Sequence, residues 1–411
     1  MVFFMKYPIY LDRIKRIVDK REERFRKFWD CGNHIPIVCK LNAPRKMLTL
    51  GFDLDKEKMF KNQLSLIEDM LSVNEDYLPF LCPWYGVGLY AEAFGCQTEY
   101  FDDKEPWTRP IVKNAEEAKR LEPLSIEKSP MMRMVLDTIE YFQEETKGLI
   151  PIAFTDTQSP LDTAMIIWEQ SDFFESFYES PEVLHKLLTN ITDVIISFSK
   201  KQIELIGERN TCCPGIHMFN KRGGTVLDVS DDILDLISSD IVEGFDKPYM
   251  EKIARELGGI AIHSCGKIDK HFQVLKNYSR LYMLNFKISP SEANSPETVK
   301  DNFKNTGIYI NLDLESGFGP DWNKYNVKGY REYITEYILP RLHHRNIRYI
   351  VNFQASNESE AKIFYKEIRK RIVLFFMKIN RGRGIHVPNY ILFAVWAIRL
   401  MIESRANEDR S

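Results

Sequence analysis

Eight short runs of apolar and β-branched residues recur along this chain, and stretches of helical spacing lie between them. The runs are "IPIVCKL" (35–41), "YLPFLCP" (77–83), "LIPIAFT" (149–155), "GTVLDVS" (224–230), "GGIAIHS" (258–264), "LYMLNFK" (281–287), "GIYINLD" (307–313) and "RYIVNFQ" (348–354). Apolar runs of this length suit parallel strands buried on both faces, and the helices supply the crossovers that parallel pairing needs. The class is therefore α/β, and the count of eight favours a (β/α)8 TIM barrel with extra N- and C-terminal helices. An open doubly wound sheet is the rival. No GxGxxG or Walker loop opens a helix after any run, which argues against the nucleotide-binding version. Pro181 suits the first turn of a long helix, "PEVLHKLLTNITDVIISFSKKQIELIG" (181–207). Ser239-Asp240, with Glu243 following, marks "DIVEGF" as a helix start and not a strand.

The ends of the chain read differently. Residues 9–28 form a basic amphipathic pattern, with Ile14, Ile17, Val18, Phe25 and Phe28 roughly at helical spacing. The division expected is an N-terminal helical extension (1–34), a barrel (35–365) and a C-terminal helical tail (366–411). Within the tail, "VPNYILFAVWAIRLMI" (387–402) contains Asn389 and Arg399 and is short for a membrane span. A packed or surface helix is expected there; a membrane- or partner-facing one is the alternative. A net charge of −3 gives no sign of a nucleic-acid or anionic-membrane surface. Seven cysteines, odd in number and irregularly spaced, fit a reducing, cytoplasmic setting better than a disulfide framework. The first residues show no signal-peptide pattern. A homodimer is compatible with all of this.

In a parallel barrel the residues just past each strand share one end, where chemistry takes place. Here they include Trp84 and Tyr85, Asp156, Asp231 and Asp232, His263 and Cys265, Asn285, Glu315, and Asn352 and Gln354. His217 lies on a loop with Lys221 and Arg222, either over the pocket or simply solvated. His263 and Cys265 offer a nitrogen and a sulfur two residues apart, donors that zinc accepts. Gly266 would let the chain turn there without a side chain blocking an ion. The plainer reading is a hydrogen-bonded pocket histidine beside a structural cysteine. Cys212, Cys213, Asp231, Asp232 and Glu315 are the candidates for a third ligand. Asp231 and Asp232 also suit a helix cap or a general acid–base role. No GxSxG, HExxH, CxxC or EF-hand pattern occurs.

Four segments carry a family likeness: "LPFLCPWYGVGLYAEAFGC" (78–96), "FTDTQSPLDTAMIIW" (154–168), "VLDVSDDILDLISSDIVEGFDKPYMEKI" (226–253) and "GGIAIHSCG" (258–266). In order and spacing, over roughly residues 75–360, the chain resembles the uroporphyrinogen decarboxylase-like superfamily. That family's fold is a (β/α)8 barrel. Its decarboxylases carry an Arg-rich loop after the first strand, an aspartate after the second and a histidine after the last. This chain has "IPIVCKLNAPRKM", Cys82-Pro83-Trp84 and Ala355-Ser356 in those places. The cobalamin-dependent methyltransferase branch is closer, because it uses an H-x-C pair and a later cysteine to hold zinc. The resemblance implies His263 and Cys265 as zinc ligands and a methyl transfer from or to a corrinoid protein or a small methylated compound. Gln354, Ala355 and Ser356 stand where the later cysteine would be, so Glu315, an acid of 230–232 or another cysteine is left to complete the site. The alternatives are a lyase acting on a carboxylated or tetrapyrrole substrate, and a corrinoid- or ligand-binding barrel without turnover.

Overall fold

The computed structural model describes residues 10–22, 35–41, 51–73, 76, 78–101, 106–207, 211–212, 226–288, 294–314, 322–344 and 346–381. In chain order the strands are β1 (Ile37–Leu41), β2 (Gln97–Glu99), β3 (Trp107–Arg109), β4 (Ile152–Ala153) and β5 (Thr211–Cys212). They continue with β6 (Leu227–Ser230), β7 (Ile260–Ser264), β8 (Leu281–Lys287), β9 (Tyr309–Leu314) and β10 (Arg348–Ala355). Six of them form one parallel sheet in the order β1-β10-β9-β8-β7-β6. The class is α/β, as the alternation of runs and helices implies. All five residues of β7 are buried, which is why that run reads as apolar without alternation.

Two bridges extend the order beyond six. Ser230, at the end of β6, pairs in parallel with Gln158, and Leu81 pairs in parallel with Ile152 of β4. The eight anticipated runs thus follow one another as β1, β10, β9, β8, β7, β6, the 152–158 segment and Leu81. The second and third runs contribute far less regular strand than their apolar length suggests. The antiparallel β2–β3 pair and the short β5 beside β4 were not among the expected runs.

Among the described residues no ladder joins Leu81 to β1, and at this seam side chains satisfy each of the two edges separately. The Gln63 amide acts as a strand would: it accepts from the Cys82 N–H (2.9 Å) and donates to the Cys82 carbonyl (2.7 Å). Asp76 accepts from the Ile37 N–H of β1 (3.1 Å) and from Arg369 (2.5 Å), and Arg369 also donates to the Ile35 carbonyl (2.8 Å). Asp76 is fully buried, so its charge requires such a partner. Arg369 belongs to the helix Glu358–Arg381, which runs through the expected division between 365 and 366. At the other end, the helix over 10–22 buries Leu11, Ile14 and Val18, the face its spacing predicts. No helix among the described residues is long and apolar enough to cross a membrane, and the 387–402 stretch lies outside them.

If Gln63 substitutes for a missing strand, Gln63→Leu leaves a buried N–H and C=O of Cys82 without partners. The expected loss is about 2–4 kcal/mol in a urea unfolding curve. A loss under about 0.5 kcal/mol would show that the seam does not depend on this amide.

Candidate metal centre

Parallel pairing brings the C-terminal ends of the strands to one rim, and β7 delivers His263 to it. Next to β7, the chain after β6 forms a tight 3-10 turn, Asp232–Asp235. The turn is clamped from below by Asp162, whose two carboxylate oxygens accept from the N–H groups of Asp232 (2.7 Å) and Ile233 (2.9 Å). Asp162 is held in turn at the start of the helix Pro160–Ile167, where the Ser159 hydroxyl caps its N–H. Asp232 therefore projects towards β7. Its Oδ1 accepts from the Cys265 N–H at 2.5 Å. Gly266 is needed for the approach: a Cβ there would lie 2.4 Å from Cβ of Asp235.

Three donor atoms converge as a result. His263 Nε2 lies 3.1 Å from Cys265 Sγ and 3.9 Å from Asp232 Oδ1, and the ligand atoms all lie within 4.8 Å of one another. His263 is 1% exposed, whereas the Asp232 side chain is 45% exposed. The cluster thus has a buried floor and an open outer side. Tetrahedral zinc at ordinary bond lengths sets N, S and O donors roughly 3.3–3.6 Å apart, and the two separations from His263 Nε2, 3.1 and 3.9 Å, lie within tenths of an ångström of that range. A mixed N, S and O set suits zinc and disfavours the oxygen-seeking magnesium and calcium. Of the third-ligand candidates, Asp232 stands beside the pair. Glu315 and Cys213 lie outside the described residues, as does His217, and Cys212 is placed in β5 as backbone only.

Behind His263 runs a row of amides. Nδ1 of His263 meets Oδ1 of Asn285 at 2.5 Å, Nδ2 of Asn285 donates to the Asn311 carbonyl (2.9 Å), and Nδ2 of Asn352 donates to Oδ1 of Asn311. Asn285 and Asn352, expected to line a pocket, are buried within β8 and β10 and belong to this row, and Asn311 is an addition that sequence reasoning missed. The backbone N–H of Gln354 donates to the Tyr330 hydroxyl (3.0 Å). Trp84 donates to Asp156 (3.1 Å), and Gln158 reaches the other oxygen of that carboxylate (3.4 Å). Tyr85 is turned elsewhere, since its hydroxyl pairs with Thr138 of the helix Pro130–Thr146 (2.7 Å).

Asp231 and Asp232 are neighbours with opposite fates. Asp231 is fully buried and is not one of the converging donors. Burial pushes its carboxyl well above the usual range, and the charges of Asp246 and Asp162 add to that. Asp246 sits in a π-helical turn, Val242–Asp246, and accepts from the Tyr278 hydroxyl (2.6 Å). Burial raises it to about 7, and burial together with Asp232 raises Asp162 to about 8. Neither Asp162 nor Asp246 was expected at the site. Ser159-Pro160 followed by Asp162 is a capping signal that could have pointed to the first; an acid inside a helix pattern marks the second only once the π turn is seen.

The uroporphyrinogen decarboxylase (URO-D) family model matches residues 84–207. Among curated proteins, uroporphyrinogen decarboxylase from Xanthomonas axonopodis pv. citri is 26% identical over 171 residues, 40% of this chain and 43% of the relative. The Xylella fastidiosa enzyme of that name is 24% identical over the same shares. The matched region thus spans less than half the length of these relatives. Among solved structures, a methyltransferase from Methanosarcina mazei aligns with a TM-score of 0.59 at 16% identity, covering 82% of this chain and 94% of that one. The likeness to the uroporphyrinogen decarboxylase family thus lies in the stretch 84–207, and the Methanosarcina protein shares the fold.

The buried carboxyls make a pH prediction. A carboxyl whose folded value is about 7, against 3.8 ordinarily, keeps a proton that the unfolded chain has lost. Its contribution to stability is full below about pH 4 and is lost as pH rises through about 7. Asp246→Asn cannot lose that proton. Its unfolding free energy should fall less than that of the wild type between pH 5 and 8, by roughly 2–3 kcal/mol. Parallel pH slopes for the two proteins in denaturant titrations would contradict this.

Proposed function

We propose that this chain is a zinc-dependent methyltransferase, with His263, Cys265 and Asp232 as the protein ligands. The convergence of these three donors carries the reading. Bound zinc would stabilise a substrate thiolate at neutral pH while leaving it nucleophilic. The chain's own residues do the rest. Asp162 and Gly266 hold the Asp232 turn against the Cys265 turn, Asn285 braces His263 from behind, and Asp232 and Cys265 are exposed to an incoming substrate. The methyl donor would be a corrinoid protein or a small methylated compound, and the acceptor a thiol or a corrinoid.

The second reading, a decarboxylase-like lyase, is favoured by the names of the curated relatives. The charges oppose it. Among the described residues six aspartates are buried, and negative groups in the wall repel a substrate that bears several carboxylates. Cys82, in the position where the decarboxylases carry an aspartate, is a buried thiol pushed well above its usual range by burial and by Asp156 and Asp228.

Elemental analysis of protein purified without added metal or chelator is expected to find about one zinc per chain. His263→Ala and Cys265→Ala should each abolish zinc retention together with thiol-dependent demethylation of methylcobalamin, followed by absorbance. Asp232→Ala should weaken zinc by 10-fold or more, with His263 and Cys265 left to hold it. Full turnover by a metal-free His263→Ala protein would overturn the proposal, and carboxyl loss from a tetrapyrrole would favour the second reading.

A further inference from the structure

Only one neutral tautomer of His263 satisfies the amide row behind it. The Asn311 carbonyl can only accept, so the group that Asn285 turns towards it must be the NH2. That places the Asn285 carbonyl oxygen on His263 Nδ1, at 2.5 Å, and an oxygen acceptor there requires a proton on Nδ1. The neutral ring then carries its lone pair on Nε2, the atom facing Cys265 Sγ and Asp232 Oδ1. The thiol of Cys265 can donate to that lone pair at 3.1 Å, so the bonds from Cys265 through His263 and Asn285 to the Asn311 carbonyl run in one direction. His263 and Asn285 are both buried, so neither ring nor amide can turn to water for a different arrangement.

We propose that Asn285 is a positioning residue that sets the tautomer of His263: in the metal-free chain it holds the imidazole as the Nδ1–H form, with Nε2 presented to the incoming metal. Asn311 acts through its main chain, and Asn352, which donates to the Asn311 side chain and to the Leu312 carbonyl (3.2 Å), fixes that part of β9. The inference rests on the metal-site reading above, but the tautomer is measurable without any metal. The arrangement removes a reorganisation step. Free histidine in water favours the opposite, Nε2–H form, which would have to give up its proton to another site before Nε2 could ligate. Groups that orient a ligating histidine typically change metal affinity 10–100-fold when removed.

The test uses the full-length chain, labelled with 15N-histidine and stripped of metal, with the His263 signal assigned by its disappearance in His263→Gln. Long-range 1H–15N correlation should show His263 in the Nδ1–H form in the wild type. Asn285→Leu should move it to the Nε2–H form and weaken zinc at least 10-fold in a competition titration against a chromophoric chelator. Asn285→Asp retains an acceptor for Nδ1–H, and should keep the wild-type tautomer and a zinc affinity within about threefold. A merely structural role would not separate the leucine variant from the aspartate variant in this way. An Nε2–H signal in the wild type overturns the proposal, as does an unchanged tautomer in Asn285→Leu. If Asn285→Leu does not fold, the wild-type and Asn285→Asp spectra still decide. If the wild type shows the Nδ1–H form yet takes up no zinc, the tautomer assignment stands and the zinc-dependent function falls.

Discussion

Strand register is the constraint on which the site depends. His263 is paired with Asn285 across β7 and β8, and Asn285 with Asn311 across β8 and β9. A slip of one residue in either ladder would turn the asparagine to the opposite face of the sheet and leave the imidazole facing an apolar neighbour. The backbone hydrogen bonds that build the barrel wall thus also orient the ring. The apolar faces of β7, β8 and β9 hold that register, because each would have to expose buried isoleucine, leucine or phenylalanine to shift.

The second element is an economy of carboxylates. Asp162, Asp231, Asp232 and Asp246 meet in a small region, yet they do different things. Asp162 spends both oxygens on two backbone N–H groups, Asp246 holds the Tyr278 hydroxyl, and Asp232 reaches the rim. Burial separates these roles. The deep acids are held towards their protonated forms, while Asp232 stands exposed at the rim. Adjacent residues in one sequence motif become a structural acid and a candidate ligand because the 3-10 turn starts between them.

Much of this was legible in the amino-acid order. Apolar runs without alternation announce parallel strands, and the H-x-C pair at the end of one run announces donors. The third donor was named only as one of several candidates, since choosing Asp232 over Asp231 requires knowing where the turn begins and which carboxylate Asp162 leaves outside. Asn285 was readable as a strand-end polar group, but its partner Asn311 lies in the middle of a run, where an isolated asparagine gives no sign of its contact. The seam was hidden for a different reason. The second run is apolar enough for a strand, but the pairing at Cys82 is made by the Gln63 side chain, and periodicity carries no record of a side chain taking a strand's place.

That seam has a consequence for the order of events during synthesis. Asp76 leaves the ribosome nearly three hundred residues before Arg369, the cation that neutralises it. Until β10 has emerged, β1 has no ladder on either side among the described strands, and the guanidinium follows later still, with the helix Glu358–Arg381. The central strands can pair as they appear, each with its predecessor. The first strand cannot, because its ladder partner is the last. The wall that carries His263 can therefore assemble as an open sheet, and β1 joins it only when the last strand arrives.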